Sequence, residues 1–365
     1  MTRFDFRPRT RVLFGEGESA RLGEVARELG ATRCLLVGDR GMAELGYAAE
    51  AARSLKARRM EVTVFHDFET ATAEAVEAGA ALARPHHIDL IAAVGGGSSM
   101  DCAKAINFVL SNGGSIRDYW GYGKASRPML PMIAVPTTAG TGSEAQSYAV
   151  VSDRSVKMVC GDSKAVFRAA ILDPKLTVTQ PRALTAAAGY DAISHAVETL
   201  VSTRRTALSE CFSRSAWRLL NENFERVLKN PDDLDARGAM LIGAHFGGLA
   251  IENSMLGAAH ACAGPLTEHY RIPHGEAIAL VLSRVVEWNS AAVGRQYEEL
   301  HAGGLAKRLR QLAEIAGLPL SLQDTPVRPE ALPRLAEEAA SQWTGKFNPR
   351  PFDAAGALEI YRSAY

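Results

Sequence analysis

The chain of 365 residues has little of what marks several large classes of protein. Neither sign of charge is in excess, since 41 basic and 41 acidic side chains cancel. A protein that holds nucleic acid through its phosphates needs a basic surplus, so that class is not expected. Cysteine is scarce: five residues, at 34, 102, 160, 211 and 262, odd in number and without a CxxC spacing. Neither a disulfide framework nor a cysteine zinc site is suggested, and reduced thiols are expected. No apolar run reaches the roughly 20 residues that a bilayer span needs. The longest, around 239–251, contains His245 and several glycines. The N-terminal stretch MTRFDFRPRTRVLFGEG has no apolar segment of signal-peptide type, and the cytoplasm is the expected compartment. There is no internal repeat and no low-complexity tract. What remains is 47% hydrophobic and 22% charged, the composition of an ordinary folded protein, long enough for two domains.

The first half alternates two textures. Short β-rich runs stand at 11–15, 34–39, 61–65, 90–94 and 131–137, with helical patterns near 18–30, 43–57 and 71–84. A further helix opens after Gly95-Gly96-Gly97, with Ser98 as its expected N-cap. This rhythm predicts an α/β domain with a mostly parallel sheet and helices on both faces. Runs at 146–152 and 156–160, joined by the turn SDRS, read as an antiparallel addition. Beyond ILDP (171–174) strand signals nearly vanish. Helical periodicity covers 182–202, 205–228, 232–253, 274–293, 298–316, 330–342 and 352–361, so the C-terminal half is expected to be all-helical. The expected division, near Pro181, is 1–180 and 181–365.

Two loops carry chemistry. A strand followed by Gly95-Gly96-Gly97-Ser98-Ser99 and a helix places free backbone N–H groups and a positive dipole end where a pyrophosphate could sit. It is neither a Walker loop nor a complete GxGxxG, because Met100 stands at the third glycine position. Alone it equally describes a tight turn with no ligand. The second loop, Thr137-Thr138-Ala139-Gly140-Thr141-Gly142-Ser143-Glu144, offers hydroxyls on a bendable backbone at a strand's carboxyl end, where open α/β sheets bind ligands. Asp39 ends the second strand. There an acid accepts ribose hydroxyls and repels a 2′-phosphate, favouring NAD over NADP; its other reading is a helix N-cap.

The helical half contributes a second constellation. Asp191 and His195 are four apart and share a helix face, which by itself is commonly a charge pair. His260 lies in a predicted helix and His274 follows Pro273 at the start of the next, so a turn can bring the two imidazoles together. One carboxylate and three imidazoles suit a divalent first-row metal such as Fe²⁺ or Zn²⁺. The other histidines (66, 86, 87, 245, 269 and 301) read as loop, core or supporting residues.

Taken in order, GGGSSMDCAKA (95–105), PTTAGTGSEA (136–145), GYDAISHAVE (189–198), the segment from His260 to His274, and FNPRPF (347–352) resemble the iron-containing (group III) alcohol dehydrogenase family along essentially the whole chain. The resemblance implies a Rossmann-like N-terminal domain that binds NAD, with NADP as the alternative, and a helical C-terminal domain that binds Fe²⁺, with Zn²⁺ as the alternative. Its implied metal ligands are Asp191, His195, His260 and His274. Its implied cofactor contacts are Gly96, Gly97 and Ser98 at the pyrophosphate, Asp101 supporting that helix start, Thr137, Thr138 and Thr141 towards the phosphate and nicotinamide, Lys157 near the nicotinamide ribose, and Asp39. The implied reaction is reversible hydride transfer between a small alcohol and NAD⁺, the metal polarising the substrate oxygen, in a homodimer or larger homo-oligomer that binds neither membrane nor nucleic acid. The nearest rivals are a metal-independent reductase of maleylacetate reductase type and a lyase or cyclase like dehydroquinate synthase. The chain also departs from the family pattern. Gly264 stands where HxxxHPLG has a second histidine, Glu69-Thr70-Ala71-Thr72 replaces a PNPT stretch, and Arg271 replaces a small polar residue and reads as a surface side chain.

Overall fold

The apolar runs at 34–37, 90–95 and 132–136 are buried along their whole length, as strands covered on both faces of a parallel sheet must be. The computed structural model describes residues 3–154 and 156–365; Ser155, the last residue of the expected SDRS turn, lies outside them. The chain divides into an α/β unit, residues 6–138 and 142–179, and a helical unit built mainly of Gln180–Tyr365 together with Ala139–Thr141.

In the α/β unit the strands are β1 Arg11–Phe14, β2 Arg33–Val37, β3 Glu61–Phe65, β4 Leu90–Gly95, β5 Gly121–Tyr122, β6 Met132–Pro136, β7 Tyr148–Asp153, β8 Val156–Gly161 and β9 Ala169–Leu172. The helices are α1 Leu22–Glu28, α2 Arg40–Glu44, α3 Tyr47–Ala57, α4 Ala73–Ala83 and α5 Gly97–Asn112. Six strands form one sheet in the order β1-β9-β6-β4-β2-β3, and every neighbouring pair is parallel. Gly95 is in register with Pro136, so the loops after β4 and β6 leave the sheet at the same level. Thr137 N–H donates to the Gly95 carbonyl at 3.0 Å and holds them together.

The antiparallel addition at β7 and β8 is present, but as a separate three-stranded sheet in which β5 runs parallel to β8. β5 and β9 carry no clear strand signal in the sequence. The first is two residues long, and the second, AAIL, carries two alanines that favour no strand. Ser98 is not the N-cap of α5. That position belongs to Gly96, which has no side chain to cap with.

The helical unit contains α6 Arg182–Val201, α7 Ala207–Lys229, α8 Leu234–Glu252, α9 Ala258–Tyr270, α10 His274–Leu300, α11 Leu305–Ala316, α12 Leu332–Ser341 and α13 Ala354–Ala364. α6 packs against α7, α8 and α10, and α9 against α10 and α12. Fifteen of the twenty residues of α6 are buried, which explains why its apolar pattern has no polar face to read. The expected break near residue 293 is a kink rather than an end: Val293 is non-helical (φ −138°, ψ 25°) and α10 continues to Leu300. By length and composition α10 alone among the described helices could cross a membrane, yet 61% of its apolar window is buried inside the protein.

Candidate metal centre and cofactor loops

α6 carries Asp191, His195 and, one turn further, Glu198, on one face at spacings of four and three. His260 sits on the first turn of α9, and His274 is the first residue of α10, after Pro273 as N-cap. The three rings meet at one atom. His195 Nε2 is 3.4 Å, His260 Nε2 3.5 Å and His274 Nε2 3.5 Å from Asp191 Oδ1. Ligand atoms of Asp191, His195 and His260 all lie within 4.8 Å of one another. Three of the four residues are nearly closed off, while the His274 side chain is 39% exposed and leaves the cluster open on its side.

The donor set fits a cation. Four ligands about 2.1 Å from a tetrahedral ion stand roughly 3.4 Å apart, the spacing seen around Asp191 Oδ1. Among the described residues that oxygen and His260 Nε2 are buried without a hydrogen-bond partner, a costly arrangement unless a further group satisfies them. The electrostatics agree. Burial pushes the Asp191 carboxyl up, but His195 and His274 outweigh it and hold it well below the usual carboxylate range. Burial lowers His260, yet Glu198 and Asp191 together raise it to about 9, so the pocket attracts positive charge.

Glu198 was not singled out from the sequence. It is 4% exposed and lies 2.5 Å from His260 Nδ1. Its signal was its place on the Asp191–His195 face, one turn beyond the histidine. Gly264, one turn after His260, has Gln342 beside it: a Cβ there would meet the Gln342 carboxamide at 3.6–3.8 Å. Arg271 is exposed, as expected, and ends α9 in the left-handed region (φ 54°).

In the α/β unit the glycine loop is built for close approach. Gly95 has φ +142°, and a Cβ on it would lie 2.3 Å from Ser99 Oγ; a Cβ on Gly96 would lie 3.2 Å from Thr138. The N-cap of α5, Gly96, supplies no side-chain cap, and a helix start of that kind is able to accept an anion. Asp39 is the N-cap that one of its readings describes. It caps α2 by accepting from Met42 N–H at 3.2 Å, and its other oxygen accepts from Ser99 Oγ at 2.7 Å beside the glycines.

Asp101 does not support the helix start. Lying one turn in, it accepts from Ser143 Oγ (2.6 Å) and Val150 N–H (3.1 Å). Fully buried Lys104 donates to the Ser143 carbonyl and hydroxyl at 2.8 and 2.7 Å. The two therefore anchor the far end of the threonine loop. Thr137 is buried with its hydroxyl on Met42 Sδ (3.5 Å). Thr141 is exposed and groups with the helical unit, and Lys157 is exposed on β8 opposite Ser152.

Residues 8–174 match the model of the iron-containing alcohol dehydrogenases, and residues 185–365 match that of the family's C-terminal domain. The chain belongs to this family: it is a metal-dependent oxidoreductase of alcohols that works with NAD. It is 31% identical to an NAD-dependent methanol dehydrogenase of Bacillus methanolicus, with all of both chains covered. It is 30% identical to a 1,3-propanediol dehydrogenase of Citrobacter freundii, over 99% of each. Among solved structures, a 1,3-propanediol oxidoreductase superposes over the full length of both chains with a TM-score of 0.95 at 30% identity. A sulfoacetaldehyde reductase from Bifidobacterium kashiwanohense, in complex with NAD⁺, does so with a TM-score of 0.91 at 28% identity, over 100% of this chain and 99% of that one. These likenesses favour an alcohol dehydrogenase over the metal-independent reductase and the lyase or cyclase.

Proposed function

We propose that the chain interconverts a small alcohol and its aldehyde or ketone, with Asp191, His195, His260 and His274 as the ligands of a single divalent cation, Fe²⁺ in preference to Zn²⁺. The observation that carries this is the meeting of three imidazoles at 3.4–3.5 Å from one buried carboxylate oxygen. Bound there, the cation supplies Lewis-acid polarisation of the substrate oxygen, and the dinucleotide supplies the hydride acceptor. The protein's part is to position. Asp191 contributes the one negative charge, and the three neutral rings add none. The exposed side of His274 is where substrate oxygen arrives, while buried His195 and His260 keep water from the opposite side.

The residues 1–180 hold the dinucleotide in this reading, and 181–365 the metal. Gly96, Gly97 and Ser98 present backbone N–H groups to the pyrophosphate, and Asp39 accepts the ribose hydroxyls. Thr138 and Thr141 offer hydroxyls towards the phosphate and nicotinamide, Thr137 shapes the loop from beneath, and Lys157 brings a cation to the nicotinamide ribose. Asp101 acts at one remove, through Ser143. Where the family carries an imidazole, Gly264 leaves the neutral Gln342 carboxamide as the nearest polar group, so no titrating ring is available at that point.

A cytoplasmic homodimer or larger assembly completes the proposal. It is supported by five unpaired cysteines and by the edge strand β1, which leaves Val12 and Phe14 exposed. The test is a panel of alcohols and aldehydes followed at the NADH absorbance, on metal-stripped protein and after reloading with Fe²⁺ or Zn²⁺. Turnover that needs the metal supports the reading, and full turnover without it refutes it. Analytical ultracentrifugation tests the assembly.

A further inference from the structure

α9 begins without a cap of its own. Its N-cap is Gly257, with no side-chain hydrogen bond, where serine, threonine or aspartate would normally satisfy the first N–H groups. Side chains from distant parts of the chain do so instead. Asn348, of the FNPRPF motif, accepts from Ala258 N–H at 3.2 Å and from Asn289 Nδ2 at 3.0 Å. Its own amide donates to Asn289 Oδ1 and to the Arg350 carbonyl, both at 2.8 Å. Glu198 Oε1, from α6, accepts from Ala259 N–H at 2.7 Å. The other oxygen of Glu198 faces His260 Nδ1.

We propose that Glu198 is the positioning residue of the centre: pinned at Ala259, it obliges His260 to carry its proton on Nδ1 and to turn the Nε2 lone pair towards Asp191. The inference rests on the metal reading above. A carboxylate can only accept, so the ring nitrogen opposite it must donate. The remaining nitrogen is then the ligand, and it points at the shared site before any cation arrives. Glu198 is buried, and a Cβ on Gly257 would come within 3.1 Å of Oε1, so that oxygen is closely packed where it meets Ala259. Glutamine cannot replace it. With one oxygen and one NH₂ group, it serves Ala259 N–H only by turning its donor onto Nδ1. The ring must then accept there and carry its proton on Nε2, where the metal belongs.

The experiment measures Zn²⁺ affinity by chelator competition, together with the melting temperature of the metal-free protein, for wild type, Glu198→Gln, Asn348→Ala and His260→Ala. Glu198→Gln is expected to bind Zn²⁺ about 10–100-fold more weakly. Asn348→Ala removes a cap without touching the ring. It is expected to melt earlier but to bind Zn²⁺ within about threefold of wild type. If Glu198→Gln does not fold, Glu198→Asp, which draws the oxygens back by about 1.5 Å, is expected to show the same weakening. Wild-type affinity in the Glu198 variants, or equal weakening in Asn348→Ala, would overturn the proposal and leave Glu198 a helix cap. Wild-type Zn²⁺ binding by His260→Ala would instead sink the metal assignment itself.

Discussion

Gly275 stands so close to the backbone of Ala187 that a Cβ on it would lie 2.1 Å from the Ala187 carbonyl oxygen. That contact brings the first turn of α10 against α6 and sets His274 within reach of Asp191. Any side chain at 275 must push the two helices apart. Gly275→Ala is therefore expected to cost about 1–3 kcal/mol, as overpacking does, and to lose bound metal disproportionately. Thermal melting and metal analysis of the purified variant check this, and a variant with full metal content would contradict it.

Asp191 is the only carboxylate among the four proposed ligands. Asp191→Asn keeps an acceptor oxygen but removes the charge. Metal affinity is expected to fall by more than about 100-fold, beyond the range for loss of a supporting residue, while NADH binding followed by fluorescence stays close to wild type. Loss of NADH binding along with the metal would show that the change had disturbed more than the centre.

Asp39 combines a cap with a negative charge beside the glycines, and Asp39→Asn separates the two. The amide oxygen still caps α2, so stability is expected to hold, whereas the proposed repulsion of a 2′-phosphate goes. The ratio of kcat/KM for NADPH to that for NADH should rise by at least about tenfold, or ~1.4 kcal/mol. An unchanged ratio with parallel steady-state measurements would remove Asp39 from cofactor selection.

Gly264 lies inside α9 with only ordinary contact distances around a hypothetical Cβ. Gly264→Ala is therefore expected to stabilise the fold by about 0.5–1 kcal/mol with metal content unchanged. Denaturant unfolding reads the first quantity and metal analysis the second. Destabilisation would mean that the open space at Gln342 is needed by the packing.

Asp89 gives the pH dependence a sign. Burial raises its pKa, but the Thr32 hydroxyl and the Thr32 and Arg33 N–H groups outweigh that and lower it overall. A carboxyl whose folded value lies below its unfolded value stabilises above the unfolded value, near 4, and loses that contribution as pH falls through the folded one. Asp89→Asn should therefore cost about 1–2 kcal/mol at neutral pH, and the gap to wild type should close in acid. Denaturant curves at pH 7 and pH 3 test it, and a gap that widened in acid would reverse the sign.

How much was legible from the residues differed between the halves. β4 is legible nearly to the residue because a central parallel strand is an apolar run ended by a glycine turn, and β3, at the sheet edge, because Val62, Val64 and Phe65 favour a strand. AAIL at β9 was missed because its strand character comes from pairing between β1 and β6 rather than from its side chains. Ser98 does not cap α5 because the helix starts on a glycine, and a glycine N-cap breaks the usual capping pattern. Glu198 escaped notice because a glutamate one turn beyond a histidine on a helix reads as an ordinary charge.

From its local order alone the chain determined the alternation of strand and helix, the two loops at strand ends and the short list of residues able to hold a cation, because hydrophobic period, glycine and imidazole chemistry are properties of neighbouring residues. Only the tertiary structure decided that His195, His260 and His274 share one oxygen, that Asp101 anchors a loop, and that Glu198 and Asn348 cap a helix far along the chain. Those outcomes depend on how closely α6, α9 and α10 approach, and that distance is set by packing, down to the missing side chain of Gly275.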